Sequence, residues 1–242
     1  MEKLELNKLL NRTDEENMLK DYLKKFDLNK NDLTAKNNIY LYGGSGTGKT
    51  TFVMNILKEL DYDIVKYDAG DVRNKSIIEN ITKHNMSDKN IMSLFNKKAK
   101  KIAIVMDEID GMNNGDKGGI NSLIKIVRPK KTKKQKLEEN TMNPIICIGN
   151  YHIDKKIKEL MKVCNVIELK PPTTLQMNKI LSLMMPNVEK NLKDNISIFV
   201  QNDLKKLVNM CEIYNHNPNI LKSEIFNHIF EKKTVNDDKE NN

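Results

Sequence analysis

The chain has 242 residues and a mass of 28.0 kDa, which suits one α/β domain with a smaller lobe and excludes several full domains. Hydrophobic residues make up 38% and charged residues 31%. The longest apolar run of note is IAIVM at 102–106 and the start MEKLELNKLL lacks a secretory apolar core, so no membrane span or signal is expected. The net charge is +8, and the seven basic residues between 125 and 136, with no acid among them, leave only +1 elsewhere.

In chain order, Thr13 with Glu16 reads as a capping box opening a helix, and Met18, Leu19, Tyr22, Leu23 and Phe26 continue it at helical spacing. Residues 28–37 are polar and read as a loop. IYLY at 39–42 is a short buried strand, followed by a glycine-rich turn and a helix over 49–60. A second strand follows at 64–67, helices at 76–85 and 87–98, a third strand at 102–106 and a helix at 120–127. Strands four and five fall at 145–148 and 166–169. Strands alternating with helices predict a parallel sheet covered on both faces.

After Pro171 and Pro172 the strand signals stop. Thr173 caps a helix that Pro186 ends, and helical patterns follow at 192–200, 204–214 and 221–232. The expected division is therefore an α/β domain over 1–170, an all-helical domain over 171–233 and a disordered polar tail over 234–242. No internal repeat is visible. Cys147, Cys164 and Cys211 are too few and too scattered for a disulfide scaffold or a zinc site, which predicts an intracellular, reducing setting. His84, His152, His216 and His228 have no ligand spacing. The 13 methionines are scattered and are expected to fill the core.

Gly43, Gly44, Ser45, Gly46, Thr47, Gly48, Lys49 and Thr50 fit G-x-x-x-x-G-K-[ST] in full. The run sits after a strand and before a helix, where backbone N–H groups can turn inward around a polyphosphate and the helix start adds partial positive charge. Lys49 is expected to reach the β- and γ-phosphates of ATP, Thr50 to ligate Mg2+, and Thr51 to follow in the same turn. The third strand delivers Asp107 and Glu108 at its C-terminal end, the edge where open α/β sheets bind ligands. Asp107 is expected to hold the Mg2+ shell and Glu108 to polarise the attacking water, so ATP hydrolysis is the implied reaction. Asn150 ends the fourth strand. It orients water against the γ-phosphate if that strand lies beside the phosphate loop, and otherwise it is a loop-initiating asparagine.

Together these residues resemble the AAA+ ATPases, and within them the clamp loaders, with the replication factor C large subunit most similar. The likeness rests on YDAGDVRNKS at 67–76, on DEIDGM at 107–112 followed by GGI at 118–120, and on PIICIGN at 144–150, and it covers roughly residues 36 to 215. It implies an AAA+ P-loop NTPase with a five-stranded parallel sheet and a small C-terminal helical lid. It also implies a hetero-oligomer in which another AAA+ subunit supplies an arginine finger. The family's small subunits carry that arginine in Ser-Arg-Cys before the fifth strand. Here the stretch is Lys162, Val163 and Cys164, and the chain's three arginines, Arg12, Arg73 and Arg128, lie elsewhere. Where the family's lid carries a nucleotide-contacting arginine, Lys205 stands, which keeps the charge but not the planar fork. The family's further helical collar has no counterpart in this sequence, and that bears on the clamp-loading role.

Lys125, Arg128, Lys130, Lys131, Lys133, Lys134 and Lys136 form the basic segment. It is read either as a contact to the phosphates of primer–template DNA or as a solvated, nuclear-localisation-like loop. Ile91, Leu94 and Phe95 fall where the resembled large subunit touches its sliding clamp, and a buried amphipathic helix fits them equally well. The expected function is a Mg2+-dependent, clamp-loader-like ATPase in DNA replication, working in a nucleus or a viral replication site. The alternatives are a helicase loader or initiator of the same fold, or a nucleotide-binding structural subunit with little turnover.

Overall fold

The computed structural model describes residues 6–29, 32–68, 71, 100–112, 118–136, 141, 143–151 and 154–217. Among them, helices α1 (Leu6–Leu9) and α2 (Thr13–Leu28) lead into strand β1 (Ile39–Gly43), helix α3 (Lys49–Glu59) and strand β2 (Tyr62–Tyr67). Strand β3 (Lys101–Met106) is followed by a 3-10 turn (Ile109–Gly111), helix α4 (Gly119–Val127), the short helix α5 (Lys133–Lys136) and strand β4 (Ile145–Gly149). Helix α6 (Lys155–Val163) and strand β5 (Asn165–Leu169) complete the first compact unit, Met1–Lys170. The helices expected at 76–85, 87–98 and 221–232, the tail at 234–242, and Arg73, Ile91, Leu94 and Phe95 lie outside the described residues.

The five strands form one sheet in the order β2-β3-β4-β1-β5, parallel at every pairing. Side chains alternate across the sheet, so each strand feeds two cores. Ile39, Leu41, Ala103, Val105, Ile146, Ile148, Ile167 and Leu169 face Leu19 and Leu23 of α2 and Val53, Ile56 and Leu57 of α3. Tyr40, Ile104, Met106, Ile145 and Cys147 face Ile120, Leu123 and Ile126 of α4 and Ile157 and Leu160 of α6. Burial on both faces is why the central strands β1, β3 and β4 read as continuous apolar runs, while the edge strands β2 and β5 are half-buried and carry Asp63, Lys66 and Glu168. The three cysteines are buried free thiols, and burial pushes the Cys164 thiol up to about 12.

Two local readings need correction. Thr13 does not cap α2: the N-cap is Arg12, with no side-chain cap bond, and Thr13 is the first helical residue. Glu16 instead accepts from Asn7 Nδ2 and Lys20 Nζ, both at 2.7 Å. The start of α2 has Asp14, Glu15 and Glu16 against its dipole. Helix α6 was not expected. Its sequence KKIKELMKV is dominated by lysine, yet Ile157 and Leu160 share one face, and Asp154 Oδ1 accepts from the Ile157 N–H at 2.7 Å. Strands β4 and β5 flank β1, so the chain must cross over it, and parallel crossovers use a helix.

The second compact unit is Pro171–Asn242. Its described helices are α7 (Thr174–Met184), α8 (Lys190–Val200) and α9 (Leu204–His216). Thr173 and Gln176 form a reciprocal capping box on α7, and Asp203 caps α9 through the N–H groups of Lys205 and Lys206. Met177, Ile180, Leu181, Ile196, Val200, Leu207, Met210 and Cys211 are buried. Among the described residues no helix is long and apolar enough to cross a membrane.

Asn38 joins three elements at the start of β1. Its Nδ2 donates to the Val127 carbonyl at 3.1 Å, its Oδ1 accepts from the Ile145 N–H at 3.2 Å, and its carbonyl accepts from the Asn165 N–H at 2.8 Å. Asn38→Leu strips two buried backbone groups of these side-chain partners, and each such group costs about 1–3 kcal/mol. The variant is expected to lose about 2–4 kcal/mol of unfolding free energy in a urea titration.

Candidate nucleotide-binding site

The site is built where β1, β3 and β4 end. Residues 43–48 link β1 to α3, and Gly48, the N-cap of α3, has φ 79°, a left-handed conformation that glycine adopts without a Cβ penalty. Thr47 is buried and its hydroxyl donates to the Gly44 carbonyl at 2.9 Å, tightening the loop from within. Ser45 and Thr51 are exposed.

Lys49 Nζ donates to the carbonyls of Gly43 (3.1 Å) and Gly44 (2.7 Å) and to Asn150 Oδ1 (3.0 Å). Burial pulls its pKa down, and the charges of Asp110, Asp107 and Glu108 pull it back up. Thr50 Oγ1 donates to Asp107 Oδ2 at 2.8 Å. The phosphate loop, the end of β3 and the end of β4 are thus joined by direct hydrogen bonds between Lys49, Thr50, Asp107 and Asn150.

Glu108 follows Asp107 in a left-handed conformation, φ 48° and ψ 48°. That geometry costs a residue with a Cβ of order 1–3 kcal/mol. Its N–H donates to Asp107 Oδ1 at 3.0 Å and its carbonyl accepts from the Gly111 N–H at 3.1 Å. The turn ends the strand direction at Asp107 and leaves Glu108 exposed.

Three residues enter the site without a role assigned from sequence. Asp110 accepts from both the backbone N–H of Asn150 (3.1 Å) and its Nδ2 (3.0 Å). This grip puts the Asn150 amide nitrogen on Asp110 and its oxygen toward Lys49. Lys66, near the end of β2, lies 3.2 Å from Asp107 Oδ2, the oxygen that Thr50 also uses. Arg12 donates from Nη1 to the Thr47 carbonyl (2.8 Å) and from Nη2 to the Lys170 carbonyl (3.0 Å). Only Asp110 has a sequence signal, its place three residues after Asp107.

Lys205 is an exposed residue of α9 in the second unit. Of the basic segment, Lys125, Lys131, Lys133, Lys134 and Lys136 are exposed and Arg128 is half-buried. Lys130 departs from the expected solvent-facing patch: it is 1% exposed, its N–H donates to the Leu33 carbonyl at 2.6 Å, and its ammonium donates to the Lys125 carbonyl. A buried lysine satisfied by backbone carbonyls does not face a polyanion.

A glycine-bearing loop between a parallel strand and a helix, facing a strand-end aspartate, defines a P-loop nucleoside triphosphatase. The model of the ATPase family associated with various cellular activities (AAA) matches residues 39–172, and the chain belongs to that family. Within it the chain is similar to replication factor C large subunits. It is 28% identical over 203 residues to replication factor C subunit 1 of Saccharomyces cerevisiae, covering 78% of this chain and 22% of that protein. It is 26% identical over 238 residues to the replication factor C large subunit of Nanoarchaeum equitans, covering 96% and 50%. The chain therefore spans half or less of these relatives' lengths. Among solved structures, the Thermotoga maritima RuvB Holliday junction branch migration motor shares the fold, with a TM-score of 0.54, 13% identity, and coverage of 90% of this chain and 67% of that one.

Gly149, which precedes Asn150, admits no side chain. A Cβ there collides with Tyr40 Oη and lies 3.2 Å from Ile109 Cγ2. Tyr40 Oη is itself buried with no hydrogen-bond partner among the described residues. Gly149→Ala is expected to cost about 1–3 kcal/mol, and Tyr40→Phe to be neutral or stabilising, since it removes an unsatisfied buried hydroxyl. Combined, the two should couple favourably by at least about 0.5 kcal/mol in a double-mutant cycle read by denaturant unfolding.

Proposed function

We propose that this chain binds ATP with Mg2+ at residues 43–51, hydrolyses it, and serves as a clamp-loader-like subunit acting on DNA during replication. The observation that carries the reading is the convergence of loop and strand ends through the Thr50–Asp107 and Lys49–Asn150 hydrogen bonds. Residues 1–170 are the nucleotide-binding domain, residues 171–233 its helical lid, and 234–242 a polar tail, with Lys205 as the lid's contact to nucleotide.

Lys49 meets the β- and γ-phosphates, and the loop amides of Gly44, Ser45, Gly46, Thr47 and Gly48 wrap them. The hydroxyl of Thr50 and the carboxylate of Asp107 are hard oxygen donors that suit Mg2+, a cation that takes one or two protein oxygens and fills its shell from phosphate and water. Bound there, it supplies charge neutralisation on the β- and γ-oxygens. Glu108 accepts the proton of the attacking water. Asn150, gripped by Asp110, offers an oxygen that can accept from that water.

The replication role is supported by the similarity to replication factor C large subunits. The exposed lysines Lys125, Lys131, Lys133, Lys134 and Lys136, with Arg128, contact the primer–template backbone, and Ile91, Leu94 and Phe95 touch the sliding clamp. Arg12 is buried and the stretch Lys162, Val163 and Cys164 has no arginine where the family's small subunits carry the finger, so a neighbouring AAA+ subunit donates that group.

Glu108→Gln is expected to retain ATP binding and to lose at least about 100-fold in kcat. Turnover at the wild-type rate would remove Glu108 from the chemistry. ATPase stimulation by primed DNA plus a clamp is expected, and stimulation by DNA alone favours a helicase loader or initiator. Changing Lys131, Lys133, Lys134 and Lys136 to Ala is expected to flatten the slope of log affinity against log salt by about 0.7–0.9 for each phosphate no longer neutralised; an unaltered slope assigns the segment to solvent.

A further inference from the structure

Arg12 has no part in the nucleotide motifs, yet it is 5% exposed, and an arginine is almost never buried so completely without acceptors. Its acceptors are two backbone carbonyls far apart in sequence, Thr47 in the phosphate loop and Lys170 at the end of the first unit. Its own position is fixed by α2, whose Leu19 and Leu23 lie in the same core as β1 and α3.

The Thr47 bond has a consequence through peptide geometry. The Thr47–Gly48 peptide is trans and planar, so the Gly48 N–H points opposite to the Thr47 carbonyl. Holding that oxygen toward Arg12 aims the Gly48 amide toward the other side of the loop. Gly48 cannot select this orientation alone, because glycine occupies left- and right-handed regions with similar ease. The Thr47 hydroxyl steadies the loop by its bond to Gly44, and the Thr47 carbonyl of this peptide is held by the guanidinium.

The chemistry explains why an arginine stands here. Of 41 basic residues only three are arginine, so lysine is this chain's default cation. A planar fork can serve two carbonyls at once with separate nitrogens, whereas an ammonium is a single point donor group.

We propose that Arg12 is the positioning residue of the phosphate loop. It orients the Gly48 amide for a nucleotide phosphate and, through the same guanidinium, ties the loop to the last peptide of the first unit. This rests on the reading of residues 43–51 as a triphosphate site. Arg12 touches no substrate, and its effect acts through Thr47 and Gly48.

The test uses the full chain and a fluorescent non-hydrolysable ATP analogue with Mg2+. Wild type, Arg12→Met, Arg12→Lys and the core variant Leu19→Ala are compared for analogue affinity, for kcat at saturating ATP and for urea stability. Arg12→Met is expected to bind about tenfold or more weakly, the size of losing one charged hydrogen bond, with kcat at saturation within about twofold of wild type. Arg12→Lys is expected to recover only part of the affinity. Leu19→Ala, destabilised through the same core, is expected to keep wild-type affinity. Should Arg12→Met fail to fold, Arg12→Lys carries the comparison alone. Wild-type affinity in either Arg12 variant overturns the proposal, and so does an affinity loss in Leu19→Ala that tracks its stability loss as closely. A wild-type chain that binds no analogue sinks the nucleotide reading itself, before any variant is compared.

Discussion

The contact on which the candidate site depends is the Lys49 ammonium, held between two loop carbonyls and the Asn150 amide oxygen. A half-buried ammonium loses hydration, and burial alone lowers its pKa. The acids that counter this are supplied by one short stretch at the end of β3: Asp107, Glu108 and Asp110. The sheet order matters for this reason. With β4 between β3 and β1, the β3 acids and the β4 amide lie at the same edge as the loop that follows β1. Parallel strands then send all three chain ends to one side.

That edge is held by contacts that reach across the chain. Asp110 secures Asn150 over 40 residues of sequence, Thr50 reaches Asp107 over 57, and Arg12 reaches Lys170 over 158. Each is a hydrogen bond to or from a charged or strongly polar group, the kind whose loss leaves a buried partner unsatisfied. The elements themselves are held by the two apolar layers. The polar contacts decide how their ends meet.

What is legible in the sequence follows from the same distinction. The central strands β1, β3 and β4 are readable because burial on both faces writes itself as apolar runs, the edge strands β2 and β5 by shorter apolar stretches between polar residues, and the phosphate loop because its glycines, Lys49 and Thr50 are contiguous. Helix α6 escapes a sequence reading because its two buried residues, Ile157 and Leu160, sit among four lysines whose stems and charges face away from the core. Thr13 misleads because a capping-box pattern one residue inside a helix looks the same as one at its start, while the true N-cap, Arg12, is committed to the phosphate loop. Lys130 reads like the exposed lysines beside it, since nothing local reveals that Leu33 and Lys125 carbonyls enclose it. Local patterns report local causes, and Asp110, Lys66 and Arg12 act over distances that sequence adjacency does not encode.

The strained conformation at Glu108 illustrates how the two levels meet. A residue leaving a buried strand would ordinarily continue extended, carrying its side chain into the next face of the sheet. Here the left-handed turn is fixed on one side by Asp107 Oδ1 accepting the Glu108 N–H and on the other by the Glu108 carbonyl accepting from Gly111. Beyond it, Ile109 is buried in the core between β1 and α4, so the turn cannot relax without withdrawing an apolar anchor. The strain is therefore outweighed by burial one residue on and by two hydrogen bonds. Its product is a pair of adjacent carboxylates with divergent surroundings, Asp107 buried against Thr50 and Lys66 and Glu108 open to solvent. Adjacent acids on a regular strand would differ only by face. The turn lets Asp107 stay fixed by Thr50 and Lys66 while Glu108 is presented to solvent.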